Sequence, residues 1–276
     1  MNLLNFTLNL ALQSGEILRK YYGTDLQIQT KKTYRDLVTK ADKDSQKFLV
    51  SEIKKKFPTH QILAEEDINK STIDDRRQTT NYKWIIDPLD GTTNFTKNLP
   101  IFAISIALQK NDETIIGVVY NPILNQIWFA EKGKNAYSAW NQNGKFKDIQ
   151  KLQKIAKKLQ VSKISEIKNA VLSTGFIASN LSHIDDSLAL FNYFTKNARA
   201  VRRYGAAALD LCFIASGWLD GHYEYDLCPW DVAAGTLIVQ EAGGNVTNFN
   251  GSKLNIYKGN ILASNGKIHK EMMKKL

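Results

Sequence analysis

The sequence predicts an α+β protein with a largely antiparallel sheet in its amino-terminal half and an α/β arrangement in its carboxyl-terminal half. Residues 84–133 contain segments rich in β-branched and aromatic residues between turn residues, the pattern of antiparallel neighbours. Beyond residue 170, strand-like and helix-like segments alternate. A polar, lysine-rich stretch at residues 140–165 weakens the core pattern between them. We therefore predict two domains, residues 1–145 and 146–276.

The amino-terminal half is predicted to begin with two helices. The leucine-rich start of the chain indicates an amphipathic helix that continues through LNLALQSGEILRKYY. A second helix over residues 41–57 places Phe48, Leu49 and Ile53 at helical spacing, and Pro58 ends it. Residues 25–39, between the helices, are predicted to form a hairpin or loop. The strands predicted next are WIID, IFAISIALQK, TIIGVVYN and QIWFAEKG.

The carboxyl-terminal half reads as strands that alternate with helices. The predicted helices cover residues 185–197, 206–217 and 231–243. The segments between and around them, taken as strands, are residues 170–175, 198–205, 222–227, 244–249 and 260–265.

Composition excludes several classes of protein. The 276 residues are 43% hydrophobic and 23% charged, which is typical of a globular protein with a sizeable core. Two cysteines, Cys212 and Cys228, have no metal-ligand spacing and cannot form a disulfide framework, so we expect a reducing, cytoplasmic compartment. No apolar run reaches the length of a membrane span, and the first residues lack a basic leader, so we expect a soluble protein.

The net charge of +10 favours acidic partners such as phosphorylated metabolites or nucleic acid. Part of this charge lies in the lysine-rich segment 151–168, where apolar residues punctuate the lysines. Such a segment could face a membrane or nucleic acid, but a solvated surface is the commoner reading. A lysine-rich proteome would give the same balance.

Missing motifs narrow the chemistry. The sequence has no G-x-x-x-x-G-K-[ST] phosphate loop, no G-x-G-x-x-G after a strand, no G-x-S-x-G elbow and no H-E-x-x-H. The four histidines are scattered. Nucleotide switching, hydride transfer, serine hydrolysis and zinc proteolysis are therefore disfavoured.

The segment WIIDPLDGTTNF is the strongest positive pattern. An apolar strand ends on Asp87, Pro88 breaks the ladder, Asp90-Gly91 turns the chain, and Thr92 begins a run suited to a helix amino terminus. This arrangement would place two carboxylates beside backbone N–H groups, which suits Mg²⁺ and a phosphate together. An ordinary strand-turn-helix junction is the alternative.

Four further acids have both a functional and a structural reading. Glu65 and Glu66 follow a β-prone segment and could complete a cation site, although acidic runs are usually solvated loops. Asp231 opens an apolar helix, where it could ligate a metal or act only as the N-cap. Glu224 is a ligand for substrate hydroxyls in the functional reading and an exposed acid otherwise.

Together these segments resemble the inositol monophosphatase family, which belongs to a superfamily of magnesium-dependent, lithium-sensitive phosphatases that includes fructose-1,6-bisphosphatase. The resemblance spans almost the whole chain and implies a layered αβαβα architecture. The segments that carry it are Asp36-Leu37-Val38-Thr39 with Asp42, Glu65-Glu66, WIIDPLDGTTNF, Gly205-Ala206-Ala207-Ala208-Leu209-Asp210, and PWDVAAGTLIVQEAGG, which contains Asp231.

The resemblance implies a role for each matching residue. Two or three Mg²⁺ ions would be bound by Glu65, Asp87, the Leu89 carbonyl, Asp90 and Asp231. Gly91 and Thr92 would cradle the phosphate, and Glu65 and Thr92 would orient or deprotonate the attacking water. Gly205, Ala206 and Ala207 would form the wall of the substrate pocket, and Glu224 would bind the alcohol. The resemblance also implies inhibition by Li⁺ and a homodimer.

The implied function is a Mg²⁺-dependent phosphomonoesterase acting on a small phosphorylated polyol, with inositol 1-phosphate as the leading substrate. Histidinol phosphate, fructose 1,6-bisphosphate and 3'-phosphoadenosine phosphates are alternatives. A regulatory factor associated with RNA or transcription is an alternative of another class, suggested by the charge and by Arg199, Arg202 and Arg203. A catalytically silent member is a third. Ala64 stands where the family commonly has glycine, and would strain the loop before Glu65 if its φ were positive.

Overall fold

A computed structural model describes residues 2–26, 28–31, 33–34, 37–67, 81–142, 144–146, 148–176 and 181–276. The helices in these residues are α1 Leu3–Tyr21, α2 Lys40–Lys56, α3 Thr92–Thr96, α4 Ile149–Ile155, α5 Ile184–Asn197, α6 Ala207–Ala215, α7 Pro229–Glu241 and α8 His269–Met273. The strands are β1 Gln29–Thr30, β2 Leu37–Val38, β3 Gln61–Ala64, β4 Tyr82–Asp90, β5 Ala103–Lys110, β6 Glu113–Asn121, β7 Gln126–Glu131, β8 Ala136–Trp140, β9 Lys157–Lys158, β10 Val171–Thr174, β11 Ala200–Arg202, β12 Gly221–Glu224, β13 Asn245–Thr247 and β14 Ile261–Ser264. Short 3₁₀ helices cover Glu65–Asp67 and Ile167–Asn169.

Two sheets organise the described residues, beside the small β1–β2 pair. The larger sheet runs in the order β3-β4-β5-β6-β7-β8-β9 and is antiparallel except for the parallel pair β3–β4. The smaller sheet runs β11-β10-β12-β14-β13, with β10 parallel to both of its neighbours and the remaining pairs antiparallel. The predicted antiparallel and α/β halves therefore correspond to two different sheets.

The side-chain alternation of β4 shows how the larger sheet is covered. Trp84 and Ile86 pack with residues of α1 and α2 on one face. Ile85, one residue away, points to the opposite face and packs with α6 and α7. Both faces are buried, which is why this strand is an almost continuous apolar run rather than an alternating one.

The smaller sheet lies on the other side of α6 and α7. Ala263 of β14 belongs to the same core as these two helices, whereas its neighbour Leu262 packs with Phe194 of α5 and Met272 of α8. The layers are therefore α1 and α2, the larger sheet, α6 and α7, the smaller sheet, and α5 and α8. The predicted layered αβαβα architecture is confirmed.

The lysine-rich stretch at residues 140–165, which connects the two sheets along the chain, contains α4 and β9. Strand β9 is the edge of the larger sheet, and its residues Lys157 and Lys158 are exposed. Charged residues on an edge strand discourage pairing with another chain. The core around α6 and α7 contains residues from both halves of the chain, so it does not separate the two predicted domains. The division at residue 145 stays a prediction. No helix among the described residues is both long and apolar enough to cross a membrane.

Candidate active site

The parallel pairing of β3 and β4 brings Glu65 and Asp87 to one edge of the larger sheet. Ala64 is paired with Ile86. Glu65 directly follows β3, and Asp87 follows Ile86 within β4. Because the two strands run in the same direction, both residues lie toward the same edge of the sheet. Ala64 is the last residue of β3 and its φ is not positive, so the alanine adds no strain to this connection.

Strand β4 is irregular between Asp87 and Asp90, where its register with β5 shifts. Pro88 has no N–H to donate, and the Leu89 N–H donates instead to Asp87 Oδ1 at 2.9 Å. Asp90 Oδ2 accepts from the backbone N–H of Ala208, in the first turn of α6, at 2.8 Å. In a regular strand, residues three positions apart point to opposite faces. The bulge instead allows the carboxylates of Asp87 and Asp90 to lie close together.

Asp231 reaches the same edge from the amino-terminal end of α7. Ser105, the β5 partner of Asp87, donates its hydroxyl to the Trp230 carbonyl at 3.0 Å and so fixes the start of α7 beside Asp87. The structural alternative, in which Asp231 is the N-cap of this helix, is wrong. Cys228 is the N-cap, and Asp231 accepts from the Cys228 N–H at 2.7 Å as the third residue of the helix.

Asp87, Asp90 and Asp231 form the centre of the site. One carboxylate oxygen from each lies within 4.8 Å of the others. Burial, and then the neighbouring acids, raise the pKa of Asp87 and of Asp90 well above the usual range. Burial raises the pKa of Asp231 to about 7, although the Cys228 N–H opposes the shift. Three buried carboxylates this close repel one another when ionised, so a cation or bound protons must compensate.

Glu65 lies beside this cluster and is paired with a lysine. Lys31 Nζ is 2.8 Å from Glu65 Oε1 and 2.5 Å from Glu66 Oε1. Burial raises the pKa of Glu65 to about 8, against the opposing charge of Lys31. Burial by itself would lower the pKa of Lys31, but the two glutamates outweigh it and raise the value. Lys31 is thus a cation in contact with two acids beside the carboxylate cluster.

Gly91 and Thr92 form the turn from β4 into α3. Gly91 is the N-cap, with φ at 92°, a conformation that L side chains rarely adopt. Thr92 does not cap the helix with its side chain. Its hydroxyl lies 3.0 Å from Asp42 Oδ1 and 3.1 Å from the Leu89 carbonyl oxygen. Thr92 therefore links β4 to α2.

The predicted pocket wall borders the carboxylates. Gly205 has φ at 77°, Ala206 caps α6, and a Cβ at Gly91 would lie 3.2 Å from the Ala206 Cβ. Glu224, at the end of β12, is 6% exposed and contributes to the raised pKa values of Asp90 and Asp231. The reading of Glu224 as an exposed acid is therefore wrong.

Sequence reasoning did not identify Lys31, because it lies in a β-prone loop with a second lysine beside it and no local pattern distinguishes the two. Asp42 was part of the family resemblance, but its contact with Thr92 was not predicted. One residue of the resemblance, Asp36, lies outside the described residues.

Comparison with known proteins agrees with the geometry. The sequence model of the inositol monophosphatase family matches residues 2–276. A protein named Nus factor SuhB from Pasteurella multocida is 37% identical over 276 residues, which cover 99% of this chain and 95% of the relative. A protein from Thermotoga maritima named fructose-1,6-bisphosphatase/inositol-1-monophosphatase is 36% identical over 274 residues, again 99% and 95% of the two chains.

A solved structure of a Thermotoga maritima IMPase superposes with a TM-score of 0.83 at 34% identity, covering 100% of this chain and 96% of the other. The family match extends over nearly every residue, and the fold similarity extends over the whole chain. This chain therefore belongs to the inositol monophosphatase family.

Proposed function

We propose that the protein is a Mg²⁺-dependent phosphomonoesterase that hydrolyses a small phosphorylated polyol, with inositol 1-phosphate as the leading substrate. The observation that carries the proposal is the cluster of Asp87, Asp90 and Asp231, whose carboxylate oxygens lie within 4.8 Å of one another. A relative whose name includes inositol-1-monophosphatase supports the substrate class.

The donor set suits magnesium. Every proposed ligand is an oxygen, as Mg²⁺ prefers. Burial and the neighbouring acids raise the pKa of Asp87 and of Asp90, and a bound cation would favour the ionised form of both groups. Two or three Mg²⁺ ions would be held by Glu65, Asp87, the Leu89 carbonyl, Asp90 and Asp231. When bound, Mg²⁺ supplies a Lewis acid that neutralises charge on the phosphate and on the departing alkoxide.

The chain's own groups supply orientation. The Thr92 hydroxyl and the Glu65 carboxylate orient the attacking water, and Glu65 can accept its proton. The backbone of Gly91 and Thr92 cradles the phosphate at the turn into α3. Gly205, Ala206 and Ala207 leave room for a ring beside it, and Glu224 accepts hydrogen bonds from the hydroxyls of the alcohol. No side-chain nucleophile is required.

Phosphate release from a panel of esters tests this function. The panel contains inositol 1-phosphate, histidinol phosphate, fructose 1,6-bisphosphate and 3'-phosphoadenosine 5'-phosphate, each with Mg²⁺, with EDTA and with added Li⁺. We expect release that requires Mg²⁺, is inhibited by Li⁺ and falls at least about a hundredfold in Asp90→Asn, since a proposed Mg²⁺ ligand is lost and with it the positive charge that the ion would place beside the phosphate.

Asp112→Asn is the matched control for that substitution. Asp112 is exposed, lies 3.3 Å from Lys83 Nζ and has φ at 59°, which asparagine tolerates. The control is expected to keep full activity. Absence of release from every ester by folded wild-type protein would refute the proposal, and the best ester would identify the substrate.

A role with RNA or the transcription machinery is the second candidate. Arg199, Arg202 and Arg203 are exposed around β11, and a 37% identical relative is named as a Nus factor. Such a role predicts RNA binding that weakens steeply with salt, is reduced in Arg202→Ala and Arg203→Ala, and persists in Asp90→Asn. Fluorescence anisotropy with a labelled single-stranded RNA measures this, and salt-independent or absent binding excludes it.

We also propose a homodimer in the cytoplasm. Trp218 is 54% exposed and lies 5.4 Å from the ring of Phe213, which makes an aromatic surface suited to a second copy of the chain. Cys212 and Cys228 are present as thiols rather than as a disulfide, in keeping with a reducing compartment. Light scattering coupled to gel filtration, with Trp218→Lys as the variant expected to yield monomer, tests the assembly.

A further inference from the structure

A buried polar group stands directly behind Glu224. His222, two residues earlier on β12, is fully buried, and its ring joins two neighbours. Its Nδ1 lies 2.9 Å from the Ser173 hydroxyl of β10, and its Nε2 lies 3.3 Å from Glu224 Oε2. Asp210 of α6, also buried, is close enough to His222 for each to shift the pKa of the other.

The His222 ring can attract the Glu224 carboxylate only when its Nε2 carries a proton. When the Ser173 hydroxyl donates to Nδ1, the neutral ring carries its proton on Nε2, which faces the carboxylate. When the ring is charged, both nitrogens carry protons. Burial lowers the pKa of His222, but Glu224 and Asp210 outweigh that effect and raise it. In both of these states an N–H of the ring faces Glu224 Oε2 across 3.3 Å, an electrostatic contact rather than an aligned hydrogen bond.

The other side of the Glu224 carboxylate is confined by a glycine. A Cβ at Gly175 would lie 2.1 Å from Glu224 Oε1 and 2.3 Å from Oε2, so the carboxylate rests against the bare Cα of Gly175. With Gly175 on one side and His222 behind it, the carboxylate has little freedom to rotate. A preorganised acceptor binds a hydroxyl with less loss of entropy than a mobile one.

We propose that His222 is a positioning residue that orients Glu224 toward the hydroxyl groups of the substrate and so sets the preference for polyol phosphates over esters without neighbouring hydroxyls. This inference rests on the proposed function, because it requires that Glu224 contacts the alcohol. Ser173 has a supporting part, since it fixes the ring through Nδ1.

Two amide substitutions separate positioning from mere packing. In His222→Gln the side-chain amide reaches the place of Nε2 and can still donate to Glu224. In His222→Asn the shorter amide can reach only the place of Nδ1, and the contact with Glu224 is lost. His222→Phe removes both the hydrogen bond with Ser173 and the contact with Glu224. Steady-state kinetics are measured for each with inositol 1-phosphate and with phenyl phosphate at saturating Mg²⁺.

We expect the ratio of kcat/KM for inositol 1-phosphate to that for phenyl phosphate to fall about tenfold in His222→Asn and His222→Phe, because Glu224 loses the contact that orients its carboxylate. The fall should lie mainly in KM for inositol 1-phosphate, and His222→Gln should restore most of the ratio. In a Glu224→Gln background, His222→Asn should add little, since the two residues act as a unit.

His269 provides the matched control. It is also buried, and its Nδ1 lies 2.9 Å from the Ser264 hydroxyl in the same sheet, but its Nε2 contacts Thr247 instead of a carboxylate. His269→Asn should lower the melting temperature without changing the ratio. The melting temperature of every variant confirms that the folded protein is compared.

The outcomes distinguish the role of His222 from the proposed phosphatase function on which it depends. Wild-type protein inactive on both esters overturns the proposed function and the inference with it. An active wild type with equal ratios in the Asn and Gln variants, or with no preference for inositol 1-phosphate, overturns the inference alone. Should His222→Phe fail to fold, the Asn and Gln pair still decides the question.

Discussion

Gly91 combines a special backbone conformation with close neighbours. Its φ of 92° disfavours any side chain, and a Cβ there would lie 3.0 Å from the Ile101 carbonyl oxygen. Gly133 has φ at 74°, but a Cβ there would meet no atom within 4 Å. The two glycines therefore separate the cost of the conformation from the cost of displacing the turn.

We expect Gly91→Ala to lower both stability and catalysis. The conformation costs roughly 1–2 kcal/mol, and the contact with Ile101 forces the turn away from the site where the phosphate is proposed to bind. Gly133→Ala should lower the melting temperature by the conformational part alone and leave kcat/KM unchanged. Calorimetry and phosphate-release kinetics measure both effects, and equal kcat/KM in the two variants would show that the turn does not position substrate.

Individual residues differ in how far the sequence reveals them. Asp87, Asp90 and Asp231 each stand at the start or end of an apolar run, so local pattern alone marks them. Lys31 is different, because its importance comes from contacts with Glu65 and Glu66 more than thirty positions away. The same holds for the contact of Asp42 with Thr92, fifty positions apart.

Helix α2 begins in a capping box that also contacts the site. The Thr39 N–H donates to Asp42 Oδ2 at 2.8 Å, and Asp42 Oδ1 accepts from Thr92. The capping helix and the turn into α3 are therefore joined through one carboxylate. A shift of the start of α2 would therefore also move Thr92, so the positions of α2 and α3 are coupled.

We expect Asp42→Ala to cost about 1 kcal/mol, because the Thr39 N–H loses its acceptor in the capping box, and in addition to reduce kcat because the Thr92 hydroxyl loses its contact with Asp42. Asp148→Ala at α4 is the control, since Asp148 caps that helix by accepting from the Lys151 N–H at 2.6 Å, and α4 packs against β8 and α1. It should cost stability alone. Chemical denaturation and kinetics compare the two, and unchanged kcat in Asp42→Ala would exclude the coupling.

The elements themselves were largely predictable, but their details were not. The apolar runs of β5, β6 and β7 and the helical spacing of α2 and α7 are local and appear in the sequence. Pro88 was expected to break its strand, yet β4 continues to Asp90 because the bulge accommodates the missing N–H. Helix α8 was not predicted, and its five residues are too short to show periodicity.

At the scale of the whole molecule, local pattern does not determine which layers meet. The position of α6 and α7 between two sheets follows from apolar surface on every side of α7, whose contact with β6 is so close that a Cβ at Gly117 would lie 2.6 Å from the Ala234 carbonyl oxygen. The family resemblance implied this architecture, whereas periodicity alone left it open. Asp231 reaches Asp87 only because of that placement.

The buried acids make the stability of the whole molecule depend on pH and on metal. The pKa of Asp87 and of Asp90 is raised, that of Glu65 is raised to about 8 and that of Asp231 to about 7, from ordinary values near 4. A carboxyl group with a raised pKa holds its proton in the folded state and releases it on unfolding. Without metal, the stabilising effect is therefore full below about pH 4 and is lost as the pH rises toward about 8.

We expect the melting temperature in EDTA to fall between about pH 6 and pH 8, and the increase produced by saturating Mg²⁺ to be larger at pH 8, because metal must displace fewer protons there. Since 1 kcal/mol moves the melting temperature by roughly 2–4 °C in a protein of this size, calorimetry resolves the difference. In Asp90→Asn one buried acid no longer titrates, so the fall in EDTA should be shallower and the Mg²⁺ effect smaller. A melting temperature in EDTA that rises over this interval, or a Mg²⁺ effect equal at both pH values, would show that the carboxylates do not exchange protons for metal on folding.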